Sequence, residues 1–456
     1  MLRVILTALT VTRAGDGLPV KPPTDVGMSS TRLEAIERVV ARGIKAGGYP
    51  GAAVVVGRNG AAVMEKGFGR LSWVTTSAAV DAQQTIYDVA SLTKVVGTTA
   101  AVMILFDEKK IDLDERVVSY IPTFTGGEKS QVTLRQLLTH TSGLPAGRDI
   151  WRITRTPLEA RAAVVASSLE TRPGSRYIYS DLGADLLGLV VEVVSGEPLD
   201  KFLERRVFAP LGMTDTFYRP ADSLRYRIAP TEVTPPRGYP LRGEVHDENA
   251  YALGGVAGHA GLFSTAADLS VFAQMMLNGG EYNGVQIISR PTVELFTSRA
   301  VGHRALGWDT AEGDYGSGRY LGPKAYGHTG FTGTSMWIDP ERQMFVILLT
   351  NRVHAARALR PAKVISDVRA DLSDAAVLAV LDGPQIAGGK RVFRADREVG
   401  WNPAPRRISK RRHASSRRRP TIARTSKSRV SSAKKKASSS KPTRVKKPVK
   451  KKTSKS

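Results

Sequence analysis

Tyr87-Asp88-Val89-Ala90-Ser91-Leu92-Thr93-Lys94-Val95-Val96 is the stretch whose reading decides the fold of this chain. The apolar run that ends at Ala90 gives way to Val95, Val96, Thr99, Val102, Met103 and Phe106 at helical spacing, so a helix opens at Ser91. Ser91 and Lys94, three residues apart, share one face of that helix. At a helix start, free backbone N–H groups and the dipole favour negative charge developing on the serine. A hydroxyl is a weak nucleophile until a neighbour takes its proton, and a lysine desolvated to partial neutrality is such a neighbour. The same residues also fit a helix N-cap followed by a solvated lysine, so the tetrapeptide alone leaves both readings open.

Working outward, residues 29–31 cap a helix reaching about residue 46, with Leu33, Ile36, Val39, Val40 and Ile44 as its apolar stripe. Residues 52–57 and 61–66 flank Asn59-Gly60, a two-residue hairpin signal. After the Ser91 helix come a loop and short helix over 111–125, then a helix capped by Thr133 that runs into Thr139-His140-Thr141-Ser142-Gly143-Leu144. Further helices are expected over 157–169, 182–194 (closed by Gly196), 199–208 and 268–277. A glycine-rich stretch over 243–265 carries His246 and His259. Tyr326-Gly327-His328-Thr329-Gly330 precedes two strand-like runs, 334–338 and 344–350, around a turn at Asp339-Pro340, and a helix over about 360–381 closes the domain. Strands cluster at both ends and helices in the middle. The pattern predicts a mixed α+β/α/β fold: an antiparallel sheet built from N- and C-terminal segments, flanked by helices, with a mostly helical inserted region. A pocket is expected at the seam.

The 456 residues suffice for one large domain or two, and 41% hydrophobic content supports a full core. There is no cysteine, which excludes disulfides, thiolate zinc sites and cysteine nucleophiles. Of the formal charge of +25, residues 401–456 supply 22 Lys or Arg and no acid, leaving +3 for the rest. The basicity therefore belongs to a tail. We divide the chain into an N-terminal segment (1–28), a folded domain (29–382) and a basic tail (383–456). The tail has too little apolar content to bury a core and is expected to stay disordered. It is suited to an anionic polymer (nucleic acid, lipid or cell wall), with a purely solubilising role as the plainer alternative. Residues 4–11 form a short apolar run after Arg3, like a degenerate signal segment and too short for a bilayer. No other stretch reads as a transmembrane segment. Placement in the cell envelope, periplasm or medium is the expectation, with the cytoplasm left open. His140, His246 and His259 match no zinc spacing and are expected to order loops, so no metal is assigned. G-x-S-x-G, P-loop and dinucleotide fingerprints are all missing, and no cofactor is expected.

Three pieces stand in order along the chain: Ser-x-x-Lys at 91–94, Tyr-x-Asp at 179–181 and His-Thr-Gly at 328–330 before a strand. This resembles the serine β-lactamase and penicillin-binding-protein superfamily, whose motifs are S-x-x-K, S-x-N or Y-x-N, and K-T-G. The tyrosine form is similar to the branch holding class C β-lactamases, D-Ala-D-Ala carboxypeptidases and family VIII esterases. The stretches 137–144 and 258–265 are similar to that branch too. The resemblance covers about residues 30–355 and implies the β-lactamase/transpeptidase-like fold, with a small-molecule or peptide acyl substrate.

The resemblance also implies roles. Ser91 would be the acylated nucleophile, Lys94 its proton acceptor or polariser, and Tyr179 the shuttle that protonates the leaving group and later activates water. Asp181 would contact Lys94. His328, Thr329 and Gly330 would form the edge on which substrate docks, and the N–H groups of Ser91 and Phe331 the oxyanion hole. Two departures matter. Asp181 in place of Asn favours the Lys94 ammonium, weakening it as a base and shifting weight to Tyr179. His328 in place of Lys is mostly neutral at pH 7 and attracts a substrate carboxylate less. The expectation is therefore a serine hydrolase acting through an acyl-enzyme on an ester, amide or D-Ala-type peptide bond. It would be an esterase or weak peptidase with little β-lactamase activity. The alternative is a non-catalytic cell-wall- or polyanion-binding member of the same fold.

Overall fold

The structure, a computed structural model, describes residues 17–311, 316–354, 361–383 and 392–402. The chain divides into two units, Met1–Ala404 and Pro405–Ser456. The apolar run at 4–11 and the basic run beyond 402 lie outside the described residues.

Strands β1 (Gly51–Arg58) and β2 (Ala61–Gly69) form the expected hairpin. Its turn residues, Asn59 and Gly60, have φ of 49° and 80°, the left-handed pair of a type I′ turn. The remaining strands are β3 (Tyr87–Asp88), β4 (Phe217–Tyr218), β5 (Leu262–Ser264), β6 (Glu281–Tyr282), β7 (Val285–Gln286), β8 (Asp309–Thr310), β9 (Tyr326–Thr329), β10 (Ser335–Asp339) and β11 (Met344–Thr350). Six of them make one antiparallel sheet in the order β2-β1-β11-β10-β9-β8. The N-terminal hairpin thus lies beside the C-terminal strands, with Val55 opposite Ile347.

Period-two alternation splits the core across this sheet. Val54, Val56, Val346 and Leu348 face the helices Ser30–Lys45 and Lys363–Ala379, meeting Ile36, Val40, Val368 and Leu372. Ala53, Val55, Ile347 and Leu349 face the other way and join Leu92, Val95, Val102 and the helical middle of the chain. Every residue of β1 and β11 is buried, which is why both read as continuous apolar runs. Residues 392–402 also return to the domain: Phe393, Ala395 and Trp401 are buried in the outer layer, and the Trp401 indole N–H donates to Asp367 at 2.8 Å. Apolar periodicity fades at 383, so the sequence reading placed this segment in the tail.

The helix opened at Ser91 is not regular. A 3₁₀ turn (Ala90–Leu92) leads into a π-helical segment (Lys94–Thr99) and then an α-helix (Ala100–Asp107). By length and composition alone Ala90–Asp107 is long and apolar enough to cross a membrane. It is instead a core helix, with 83% of it buried between the sheet and the helical region.

Candidate functional site

Ser91 lies in the 3₁₀ turn and Lys94 opens the π-helical segment, and the tight entry brings the two side chains to hydrogen-bond distance. The turn is entered through Ala90, held at φ 48°, where a side-chain-bearing residue is strained. The Ala90 N–H donates to Asp88 Oδ1 at 2.8 Å, and the buried Asp88 also accepts the His246 N–H at 2.7 Å. Asp88 thereby fixes the approach to the serine from two sides.

Lys94 is 3% exposed and spends all three ammonium donors. Nζ lies 3.0 Å from Ser91 Oγ, 3.1 Å from the His259 carbonyl oxygen and 2.7 Å from Asp181 Oδ1. Burial alone pushes this lysine toward neutrality, but Asp181 and Tyr179 outweigh it and hold the ammonium above its usual range. The sequence idea of a lysine made partly neutral by desolvation is corrected on this point. The ion pair with Asp181 wins, as the replacement of asparagine by aspartate suggested. In the resting state Ser91 accepts a hydrogen bond from Lys94.

Asp181 is the first residue of the Asp181–Ser195 helix, whose N-cap is Ser180. The Ser180 N–H donates to His140 Nδ1 at 3.0 Å, and the His140 ring lies 4.6 Å from the Tyr179 ring. The Tyr179 ring centroid is 4.9 Å from Lys94 Nζ and 5.1 Å from Arg304 Cζ, so two cations face its π-system. Arg304 is buried, pairs with Asp309 at 3.0 Å and donates twice to the Tyr177 hydroxyl.

His328 lies on β9, buried, with Nδ1 2.8 Å from the Thr329 carbonyl oxygen. Nδ1 therefore carries the hydrogen, and Nε2 is a buried acceptor without a hydrogen-bond partner among the described residues. Burial first, then the nearby Arg304 and Lys94 charges, hold this imidazole neutral well below its usual range. Thr329 is half-buried at the end of β9. Gly330 follows where nothing larger fits, since a Cβ would come within 2.0 Å of Thr334 Oγ1 and 2.5 Å of the Val89 carbonyl oxygen. Thr332 donates to the Asp88 carbonyl at 2.8 Å and Thr334 to that of Val89 at 2.9 Å. The His-Thr-Gly segment is thus pinned against the chain entering Ser91. Phe331, 45% exposed, stacks on His246 with ring centroids 5.8 Å apart.

The three histidines named with no ligand spacing all order loops. His246 Nε2 is 2.7 Å from Glu232, and His140 holds Ser180 as above. His259 is clamped between two carboxylates, with Nδ1 2.7 Å from Asp185 and Nε2 2.9 Å from Asp247. Burial opposes its charge, yet Asp185 and Asp247 prevail and hold the imidazolium well above its usual range. The preceding Gly258 admits no side chain, because a Cβ would meet the Ala184 carbonyl oxygen at 2.0 Å. The clamp therefore sets the His259 carbonyl that receives Lys94.

A stability prediction follows from the histidine charges. The folded-state pKa of His259 is raised, so its contribution is whole below the unfolded value of about 6.5 and declines as pH rises above it. His140 and His328 are lowered, so theirs is whole above about 6.5 and declines as pH falls. In denaturant titrations, the stability gap between wild type and His259→Gln is expected to stay constant below about pH 6.5 and narrow above it. A gap that widens with rising pH would contradict a charged clamp.

A profile of the Beta-lactamase family matches residues 36–369. The chain belongs to the beta-lactamase family. It is 33% identical over 408 residues to an Escherichia coli (strain K12) protein named "Putative D-alanyl-D-alanine carboxypeptidase", covering 78% of this chain and 91% of that one. Among solved structures, a penicillin-binding protein homolog from Caulobacter crescentus has a TM-score of 0.61 at 22% identity, covering 77% of this chain and 99% of that one. EstCE1, a hydrolase with promiscuous acyltransferase activity, has a TM-score of 0.61 at 21% identity, covering 76% and 99%. These two likenesses show the shared fold.

In this beta-lactamase family member, sequence reasoning had named Ser91, Lys94, Tyr179, Asp181, His328, Thr329, Gly330 and Phe331, and the fold gathers them around one locus. It missed Arg304 and Asp185. Asp185 had a usable signal, standing one helical turn after Asp181 and so on the same face. Arg304 sits in an irregular loop with no motif around it.

Proposed function

We propose that this family member is a serine acyl hydrolase that carries its acyl group on Ser91 and cleaves a D-alanyl peptide bond or a simple ester in preference to a β-lactam. The observation that carries this reading is the Lys94 ammonium, held 3.0 Å from Ser91 Oγ and 2.7 Å from Asp181 with Tyr179 beside it. Ser91 Oγ attacks the acyl carbonyl. Its proton passes to the Tyr179 oxygen as the Tyr179 proton passes to the leaving amine or alcohol. Lys94 orients the serine and faces the charge that develops on the tyrosine oxygen. Water then enters along the same relay and releases the acid. The N–H groups of Ser91 and Phe331 receive the carbonyl oxygen.

The carboxypeptidase-named relatives support the peptide substrate. His328 supports the ester, because a neutral imidazole on the docking strand gives a substrate carboxylate no counter-charge. The test is parallel assay of D-alanine release from a blocked Lys-D-Ala-D-Ala peptide, hydrolysis of p-nitrophenyl acetate, and turnover of benzylpenicillin. Turnover of the first or second, with penicillin spent slowly or held as a stable adduct, is the expected result. Rapid penicillin hydrolysis would reverse the substrate assignment.

A further inference from the structure

A cavity of about 870 Å³ opens on the helical side of the molecule, and Ser91, Lys94, Tyr179 and Asp181 are not among its lining residues. Five arginines line it, Arg152, Arg155, Arg219, Arg225 and Arg242, against two acids, Asp222 and Glu244. That is a local concentration of charge, since residues 1–400 carry a formal net of only +3.

The arginines are unevenly neutralised. Arg152 and Arg219 have close carboxylate partners in Asp149 and Asp200. Arg225 reaches Asp222 only at 3.9 Å. Arg242 donates to the carbonyl oxygens of Ile228 and Tyr226, each at 2.8 Å, which orients the guanidinium without cancelling its charge. Burial and the Arg225 charge both act against the charge of Arg242. Arg155 makes no side-chain hydrogen bond or ion pair among the described residues. Glu244 is occupied by the Tyr239 hydroxyl at 3.0 Å and by Arg237 at 3.6 Å. Like charges gathered around a concave surface raise the local concentration of anions, and guanidinium forks match carboxylate and phosphate oxygens. Trp151, Tyr239 and Tyr251 add flat apolar walls.

We infer that this cavity is a binding site for a multiply charged anion bearing carboxylate or phosphate groups. Arg155, Arg225 and Arg242 supply the charge the ligand neutralises. The site borders the catalytic region through one segment, because Glu244 and Val245 line the cavity while the next two residues, His246 and Asp247, contact Phe331 and His259. The anion has two sources, a free small molecule or the acidic portion of a longer chain.

The experiment is calorimetric titration of full-length Ser91→Ala protein at physiological salt with citrate, with tripolyphosphate, and with a glutamate-rich peptide beside its amidated counterpart. Each is repeated with Arg155→Ala added, and with Arg225→Ala and Arg242→Ala added together. The basic run after residue 402 is unchanged in every variant, so any difference between variants belongs to the cavity. Weakening of at least about fivefold for the free anions assigns a small-molecule site. Weakening confined to the acidic peptide, with the amidated peptide unaffected, assigns the anion to a longer chain. Isotherms that are the same with and without the arginines overturn the proposal. Should the double variant misfold, Arg155→Ala decides alone, because that side chain holds no structural bond. All readouts are binding, so the result stands whether or not Ser91 is acylated.

Discussion

Ser91→Ala is expected to remove covalent labelling by a fluorophosphonate and to lower ester and peptide turnover by at least about a thousandfold, leaving substrate binding nearly intact. Lys94, the side chain that donates to Ser91 Oγ, cannot replace that oxygen as a nucleophile. Lys94 is held as an ammonium, with its three donors directed at Ser91, His259 and Asp181. The residual rate would come from binding and oxyanion stabilisation alone. Intact mass after labelling gives the answer directly: a mass shift in wild type that is lost in Ser91→Ala. Labelling that persists in the variant would place the nucleophile elsewhere, whereas wild type that takes no label and cleaves nothing would return the non-catalytic reading.

The second large effect is expected at Lys94. Lys94→Ala should lower kcat about a hundred- to ten-thousandfold, with a smaller change in KM. It deletes the donor that orients Ser91 Oγ and the cation beside Tyr179 together. Lys94→Arg is expected to fail as well, because a planar fork cannot direct three donors from one atom into a site that is 3% exposed. Loss of stability should be modest next to that of a fully buried pair, since the Asp181 side chain keeps 32% exposure and water can solvate it once its partner is gone. Thermal denaturation beside steady-state kinetics separates the two effects. A variant that melts like wild type yet has lost turnover fits the proposal, whereas wild-type kcat in Lys94→Ala would remove Lys94 from the mechanism.

Much of the architecture was legible because local signals and burial agree. Asn59-Gly60 demanded left-handed turn residues, and the apolar runs at 52–57 and 344–350 matched strands covered on both faces. The mixed fold with one sheet made from both ends of the chain followed from their order. The Ser-x-x-Lys, Tyr-x-Asp and His-Thr-Gly triplets were legible because each packs its chemistry into three or four residues. What escaped depends on distance in sequence. The Lys94 ammonium was legible only through the motif that supplies Asp181, 87 positions away, and a local reading of the helix start alone pointed to a neutral lysine. Arg304 reaches Tyr177 and Tyr179 from a loop more than a hundred residues later. The π-helical turn at Lys94–Thr99 has no compositional mark, and the arginines around the anion cavity come from separate segments of the chain.

The pairing of β1 with β11 also has a consequence for synthesis. During translation, the hairpin of residues 51–69 emerges from the ribosome nearly three hundred residues ahead of the strand that completes it. Until then β1 is an apolar edge with one free side, open to mispairing. The serine faces the same wait, because the threonines that pin the entry to Ser91 are Thr332 and Thr334. A nascent chain stalled before residue 326 would therefore present an aggregation-prone strand and no assembled locus around Ser91, so that activity and protection of the edge arrive together, late in elongation.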